Sequence, residues 1–483
     1  MNCSGSRKGS VIVPRNRKAS ASHEVDMLNG PIWSKLLLFA IPLTMTSILQ
    51  QLFNSADTAV VGHFVSSEAQ AAVGANSAVI NLLVNTFVGI SVGANVVVAA
   101  LAARKEEERI HRAVHTVIAF SLLVSAGIFL VGELLAAPIL RLMATPEDVM
   151  DLAAWYLRLY LLGVPFEMVY NFGSAVLRSK GDSKRPLLAL FFSGVLNVAM
   201  NLFFVVALHR SVDGVAVATV LSNAVAAGLV LHFLAKEEDA FRFRWKDLCL
   251  DRDLLSRVVQ IGLPAGLQGA VFSVSNMCIQ SAINSFGSPA VAGASIATYF
   301  DLFTYYFSGG MAQACLTFAS QNHAVGREKR CTAVFRDSIL LGLLLTFSAG
   351  MVFYFGRAMF LGFYTKDAVV LAFAVSKMRH SMVTQFLEVP FDMPGSMLRS
   401  YDHPLAPAVI TVIGTCVFRL GWVFLVFPHD RDYARLMNVY PISWILTDIL
   451  MLVTWAIVRR NWNRKHPGYG KAQAEKGNLT AAS

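Results

Sequence analysis

Asp57, Asn197, Asn201 and Thr219 are the side chains whose types and spacing most directly suggest chemistry. Each is an oxygen-bearing group set in strongly apolar sequence, and Asn197 and Asn201 are spaced i, i+4, which puts them on one face of a helix. A lone carboxylate kept from water favours its neutral form, so Asp57 is suited to taking up and returning a proton. One carboxylate with amide and hydroxyl oxygens also suits a hard cation such as Na⁺. Asn and Thr commonly tie membrane helices together, so a purely structural role stands beside the functional one for the three neutral residues.

A second set lies in the C-terminal half. Asp301 sits among Tyr299, Phe300, Phe303, Tyr305, Tyr306 and Phe307, and an acid in an aromatic belt attracts lipophilic cations by charge and cation–π interaction. The same aromatics are equally consistent with lipid-facing or core positions. Asp301, Tyr305, Tyr306 and Glu388 are the candidates for a substrate cavity. Glu167 and Glu388 each precede the Arg of an LRS motif, Arg178 or Arg399, by roughly three helical turns. Glu167, Arg178 and Arg399 are accordingly gate candidates. Arg419 and Asp448, at similar depth, read as a structural ion pair.

Such residues need a scaffold that holds polar groups inside lipid. Only 15% of the 483 residues are charged and 55% are hydrophobic, with a mean hydropathy of +0.54, against about 25% charged in soluble domains. A span needs roughly 20 mostly apolar residues. Twelve such stretches occur, at about 36–62, 73–101, 113–137, 149–176, 186–208, 214–234, 258–284, 290–320, 333–356, 368–398, 405–427 and 440–458. Alternate connections hold 18 Lys and Arg residues against 6 in the others. By the positive-inside rule both termini are cytoplasmic. This pattern accounts for the net charge of +10 without nucleic acid as a partner. The six cysteines are scattered and indicate neither a disulfide framework nor a metal cluster.

The spans repeat. GSAVLRS (Gly173 to Ser179) recurs as GSMLRS (Gly395 to Ser400), and Ala40-Ile41-Pro42 recurs as Gly262-Leu263-Pro264. AAVGA at 71–75 pairs with AVAGA at 290–294, and RIHRAV at 109–114 with REKRCTAV at 327–334, all about 220 residues apart. Six helices followed by six in the same orientation is a transporter-like internal symmetry. The expected organisation is a cytoplasmic tail at 1–30, an N-lobe at 31–235, a cytoplasmic connector at 236–257, a C-lobe at 258–460 and a cytoplasmic tail at 461–483. The fold class is all-α integral membrane, with twelve transmembrane helices in two pseudo-symmetric six-helix lobes. Counted from the outer ends, Asp57, Asn201 and Thr219 share a level roughly 10 Å below the surface, with Asn197 one turn deeper.

The chain resembles the multidrug and toxic compound extrusion (MATE) family. The resemblance rests on IPLTMTSILQQLFNSADTAVVGHF (Ile41 to Phe64), VLRSKGDSKRP (Val176 to Pro186), NVAMN (Asn197 to Asn201), GVAVAT (Gly214 to Thr219) and FASQN (Phe318 to Asn322), and it covers about 30–460. It implies V-shaped lobes and export of organic cations in exchange for H⁺ or Na⁺. It also implies an N-lobe cation site made of a helix-1 Asp, an Asn and an Asp one turn apart on helix 5, and a helix-6 Thr. Asp57, Asn197 and Thr219 match, whereas Asn201 stands where the family often has Asp. One carboxylate fewer weakens a Na⁺ cage in low dielectric. Helix 7 also lacks the Glu that some family branches use, and the expectation tilts towards H⁺.

The expected function is a secondary antiporter of small organic substrates, monomeric in the lipid bilayer of a bacterial inner (plasma) membrane, with no cofactor beyond the coupling ion. Each positive charge moved inward gains about 2.3 kcal/mol per 100 mV. Two rivals stand. A lipid or lipid-linked-oligosaccharide flippase of the same superfamily shares the two-lobe fold, but tends to need a cationic cleft, and the intramembrane charges here are mainly acidic. A membrane enzyme or receptor lacks support, because no HExxH, GxSxG, phosphate loop or paired catalytic acid lies at a membrane face.

Overall fold

The computed structural model describes residues 24–65, 67–143, 145 and 147–466. Most of the two expected tails therefore lies outside the described residues. The described residues are helical, with no strand among them. In order, the helices are α1 (Ile32–Phe64), α2 (Ser67–Arg104), α3 (Glu107–Leu142), α4 (Glu147–Lys180), α5 (Lys184–Leu202), α6 (Val212–Ala235), α7 (Arg252–Asn284) and α8 (Ser288–Ala324). There follow α9 (Glu328–Phe355), α10 (Arg357–Gly362), α11 (Ala368–Ser381), α12 (Val389–Ser400), α13 (Leu405–Thr411), α14 (Phe418–Gly421), α15 (Tyr433–Met437) and α16 (Val439–Lys465).

Among the described residues, ten helical stretches are long and apolar enough to cross a membrane. The other two of the twelve expected spans fall on α8 and on α11–α12. At 37 residues α8 is long enough, but Asp301, Gln313, Gln321 and Asn322 dilute its apolar character. The tenth expected span is broken: α11 stops at Ser381, a 3₁₀ turn covers Gln385–Glu388, and α12 starts at Val389. Pro390, in the first turn of α12, has no N–H to donate back to the Phe386 carbonyl and its ring crowds that carbonyl, so the helical ladder cannot run unbroken across Gln385–Glu388. Most helices overrun the apolar stretch that announced them by a turn or two, because charged residues at their ends still join the backbone ladder.

The described residues fall into two compact units, one formed by the chain up to Val25 and by 45–262, the other by 26–44 and the chain from Leu263 on. The start of α7, as far as Gly262, thus packs within the first unit, and the start of α1, as far as Thr44, within the second. In the first unit α2 and α7 approach so closely that a Cβ on Gly93 would lie 2.1 Å from the Val258 carbonyl oxygen, and one on Gly262 2.3 Å from that of Ile90. In the second unit the rings of Phe39 and Phe318 meet at 6.0 Å, and Thr44 Oγ1 donates to the Tyr306 carbonyl at 3.2 Å.

The segments that lead into these exchanged helix starts are docked in parallel ways. In the second unit Met27 is buried and its carbonyl accepts from Asn322 Nδ2 and Arg330 Nε, each at 3.1 Å, while Arg330 also reaches the carbonyls of Asn29 and Gly30. In the first unit the connector before α7 is pinned to α3, where His115 Nε2 accepts from the Arg244 amide at 3.0 Å and Thr116 Oγ1 from the Asp251 amide at 3.1 Å.

Candidate functional site

The site is built by α1, α5 and α6 of the first unit. Gly194 on α5 lets α1 come close: a Cβ there would lie 1.8 Å from the ring of Phe53. Asp57 is one turn beyond Phe53, and Asn197 and Asn201 are one and two turns beyond Gly194, so the same contact brings the carboxylate onto the two amides. Asn201 Nδ2 donates to Asp57 Oδ1 at 2.5 Å and to Asn197 Oδ1 at 3.2 Å. Thr219 Oγ1 stands 3.5 Å from Asp57 Oδ2 and 3.0 Å from the Val215 carbonyl. The four residues singled out from sequence are therefore brought together.

A fifth belongs with them. Ser222 Oγ accepts from Asn197 Nδ2 at 3.3 Å and donates to the Thr219 carbonyl at 2.9 Å. Its i+3 spacing from Thr219 was the available signal. Asn197 and Asn201 are buried, at 5% and 0% exposure, and Asn201 Oδ1 has no hydrogen-bond partner among the described residues. Immediately after Asn201 the helix widens into a π turn over Phe203–Ala207, a local geometry that recurs at functional sites. The second unit carries a similar π turn at Trp422–Val426, about one repeat later.

Of the gate candidates, Glu167 is buried within α4, accepting from the Tyr160 hydroxyl at 3.2 Å, and its carbonyl accepts from Asn171 Nδ2 at 3.1 Å. Tyr156 and Tyr160, also buried, lie within electrostatic reach of Asp57. Arg178 is half-buried, and its Nε finds no hydrogen-bond partner among the described residues. Arg399, in the second unit, donates from Nη2 to Gln268 Oε1 at 2.7 Å.

The second unit treats its charges differently from the sequence reading. Asp301 does not stand alone among aromatics: Lys377 Nζ is 3.7 Å from its Oδ2, and Ser381 Oγ donates to its Oδ1 at 2.6 Å. Lys377 lies on α11, is 3% exposed, and also reaches the Ala294 carbonyl and Thr298 Oγ1. Its charge inside the expected span 368–398 was a local signal that the sequence reading passed over; its pairing with Asp301 was not visible locally. Arg419 is not paired with Asp448. It donates to Ser443 Oγ at 3.1 Å and Asn276 Oδ1 at 2.9 Å, and its guanidinium stacks over Phe272 and Tyr440. Asp448 Oδ1 is buried without a hydrogen-bond partner among the described residues.

Glu388, at the helix break, accepts from Gln385 Nε2 at 3.1 Å. One turn on, Asp392 accepts from Ser308 Oγ at 3.1 Å and lies within electrostatic reach of Glu388, Asp448 and Tyr305. Asp392 also escaped the sequence reading. The rings of Tyr305 and Tyr306 are 6.2 Å apart. Glu388, Asp392 and Tyr305 thus form an acidic and aromatic cluster in this unit, while Asp301 is engaged internally.

One cluster in the first unit has metal-ligating residue types, namely His111, His115 and Asp247. Both nitrogens of His115 are engaged, Nδ1 donating to the His111 carbonyl at 2.7 Å and Nε2 accepting from the Arg244 amide. This histidine braces the connector and has no lone pair left for an ion.

The MatE family model matches residues 42–203 and again 264–425, the second match starting 222 residues after the first. The Probable multidrug resistance protein YoeA of Bacillus subtilis is 25% identical over 442 residues, covering 90% of this chain and 95% of that protein. The Multidrug export protein MepA of Staphylococcus aureus is 19% identical over 362 residues, 74% of this chain and 79% of that protein. An outward-facing multidrug resistance MATE family transporter of the MOP superfamily superposes with a TM-score of 0.83 at 20% identity, over 92% of this chain and 99% of that one. A MOP superfamily transporter from Pyrococcus furiosus gives 0.80, also at 20% identity, over 92% and 98%.

Proposed function

Because the chain belongs to the MatE family of efflux transporters, we propose that it is an antiporter exporting organic cations in exchange for a proton loaded at Asp57. The observation that carries this reading is the single carboxylate of the α1–α5–α6 cluster, held by hydrogen-bond donors from Asn201 and Thr219. An amide N–H₂ aimed at the carboxylate stabilises its charged, unloaded form in the way a bound cation otherwise would. Protonation removes the charge that Asn201 and Thr219 are arranged to meet, so loading changes the hydrogen-bond pattern across α1, α5 and α6. A proton can drive the cycle only through such differential affinity for two states. Na⁺ is the second reading: were the Asn201 amide reversed, its unpartnered Oδ1 would join the Asp57, Asn197 and Thr219 oxygens as a hard ligand set.

Glu388, Asp392 and Tyr305 supply charge and an aromatic face for a cationic substrate in the second unit. The proposal includes twelve spans with both ends cytoplasmic in a bacterial plasma membrane, and a monomer. The test is ethidium efflux from proteoliposomes under a pH gradient and, separately, a Na⁺ gradient. Efflux should follow the pH gradient in the wild type and vanish in Asp57→Asn. An Asp57→Asn protein that exports at the wild-type rate removes Asp57 from the mechanism, and no response to either gradient favours a flippase.

A further inference from the structure

The C-terminal end of α16 carries a feature that neither transport nor packing uses. A groove of about 620 Å³ is lined by Trp455, Ala456, Arg459, Arg460, Asn463 and Arg464. Its back wall is fixed. Trp455 is 6% exposed and packs on Tyr401 and Phe335, and Arg459 is locked onto Glu328, Tyr401 and Thr332. Its front is unsatisfied: Arg460 and Arg464 are exposed and have neither an acidic partner nor a hydrogen bond among the described residues.

At 100° per residue, Arg460 and Arg464 share about a third of the helix circumference with Ile442, Ile445, Ile449, Val453 and Ala456. Those four large apolar residues are 38%, 47%, 56% and 53% exposed. The uncovered face therefore runs from an apolar stripe, roughly 17 Å long at 1.5 Å per residue, into a pair of uncommitted guanidinium groups. One leaflet of the hydrocarbon core is about 15 Å deep.

The geometry points to a binding site for one anionic glycerophospholipid, its acyl chains along Ile442–Val453 and its phosphate between Arg460 and Arg464, with Asn463 donating at the edge. The guanidinium fork matches a phosphate bidentately and a helix-borne pair fixes it in place. A zwitterionic lipid brings its own ammonium and loses most of that attraction. A free phosphate would use the two arginines but leave the apolar stripe uncovered, so the continuous face favours the lipid. Orientation by the positive-inside rule alone explains basic residues at this end of a span, but not their alignment below the stripe and in a preformed groove.

The full-length protein, purified in detergent, is mixed with phosphatidylglycerol or phosphatidylcholine of matched chains, and retained lipid is counted by native mass spectrometry. One phosphatidylglycerol should be retained in preference to phosphatidylcholine. Arg460→Gln with Arg464→Gln should lower that retention more than tenfold, and the double lysine variant should keep part of it. Lys465→Gln removes one charge off the face and should leave retention unchanged. The lipid-free thermal midpoint of each variant checks folding. Retention unchanged in the double glutamine variant, equal retention of both lipids, or an equal loss in Lys465→Gln overturns the site. Competition by glycerol 3-phosphate as effective as that by the lipid overturns the lipid as its ligand.

Discussion

Asp57 is the one carboxylate among the five side chains of the proposed coupling cluster, and under the proposed proton coupling this sets a stoichiometry. One proton neutralises it, so each cycle brings in one charge. If the exported substrate is a monocation, no net charge crosses the membrane. The potential then contributes nothing, and one pH unit sustains a tenfold substrate ratio, about 1.4 kcal/mol. Asn201→Asp places a second carboxylate against the first, where Asn201 Nδ2 now meets Asp57 Oδ1 at 2.5 Å. If both are loaded, one net positive charge moves inward per cycle, and 100 mV adds about 2.3 kcal/mol, roughly 50-fold in the ratio. The assay is the steady-state ethidium ratio in proteoliposomes with the potential clamped by valinomycin and K⁺, read against Asp57→Asn vesicles to remove passive redistribution. The wild-type ratio should track the pH gradient and stay flat with potential, while Asn201→Asp should become steeply potential-dependent. A wild-type ratio that rises about 50-fold per 100 mV without a pH gradient would refute the single-carboxylate coupling.

Two further outcomes are expected. Lys377→Met leaves the Asp301 carboxylate buried and uncompensated, which should cost about 3–5 kcal/mol and lower the thermal midpoint, whereas Lys377→Met combined with Asp301→Asn should recover most of the loss; equal midpoints for the single and double variants would show that the pair carries no coupling. Gly194→Val forces methyl groups into the Phe53 ring, an overpacking of about 1–3 kcal/mol, and should depress efflux more than stability because it parts α1 from α5; Phe53→Leu in the same protein should restore part of the efflux.

How much of this was legible depended on whether a signal was local. The coupling cluster was readable because its members are polar interruptions in apolar helices, and because i, i+4 spacing fixes relative direction within a helix. Ser222 was readable by the same rule at i+3. The long apolar stretches located the helices, though not their charged ends. What stayed hidden depends on pairing across elements. Lys377 and Asp301 lie 76 positions apart in sequence, and nothing local says that one ammonium reaches the other's carboxylate. The Arg419–Asp448 pairing failed for the reciprocal reason: equal depth is necessary for an ion pair, but the direction in which each side chain leaves its helix decides it, and Arg419 leaves towards Asn276, Ser443 and two rings. The break before α12 was announced by Pro390, which a count of apolar residues passes over. The exchange of the starts of α1 and α7 had a trace in the repeated Pro42 and Pro264, but its basis is backbone approach at Gly93 and Gly262, which composition does not carry.

Asn201 is where the two kinds of signal meet. Read from sequence, an amide in place of a carboxylate is a subtraction, one charge fewer for a cation. In the structure it is also an addition, because the amide brings two N–H groups and aims one nitrogen at Asp57 and Asn197 together. The opposite orientation would face Asn201 Oδ1 towards the Asp57 carboxylate, two acceptors in contact, relieved only by a proton or cation between them. The side chain therefore has one arrangement that suits the empty, charged site and another that suits the loaded one. The buried, unpartnered Oδ1 is the acceptor that loading would engage. A carboxylate at this position could tighten a cation but could not donate to its neighbour when empty. The substitution thus changes how the unloaded state is stabilised, and differential stabilisation of the two states is what an exchanger requires.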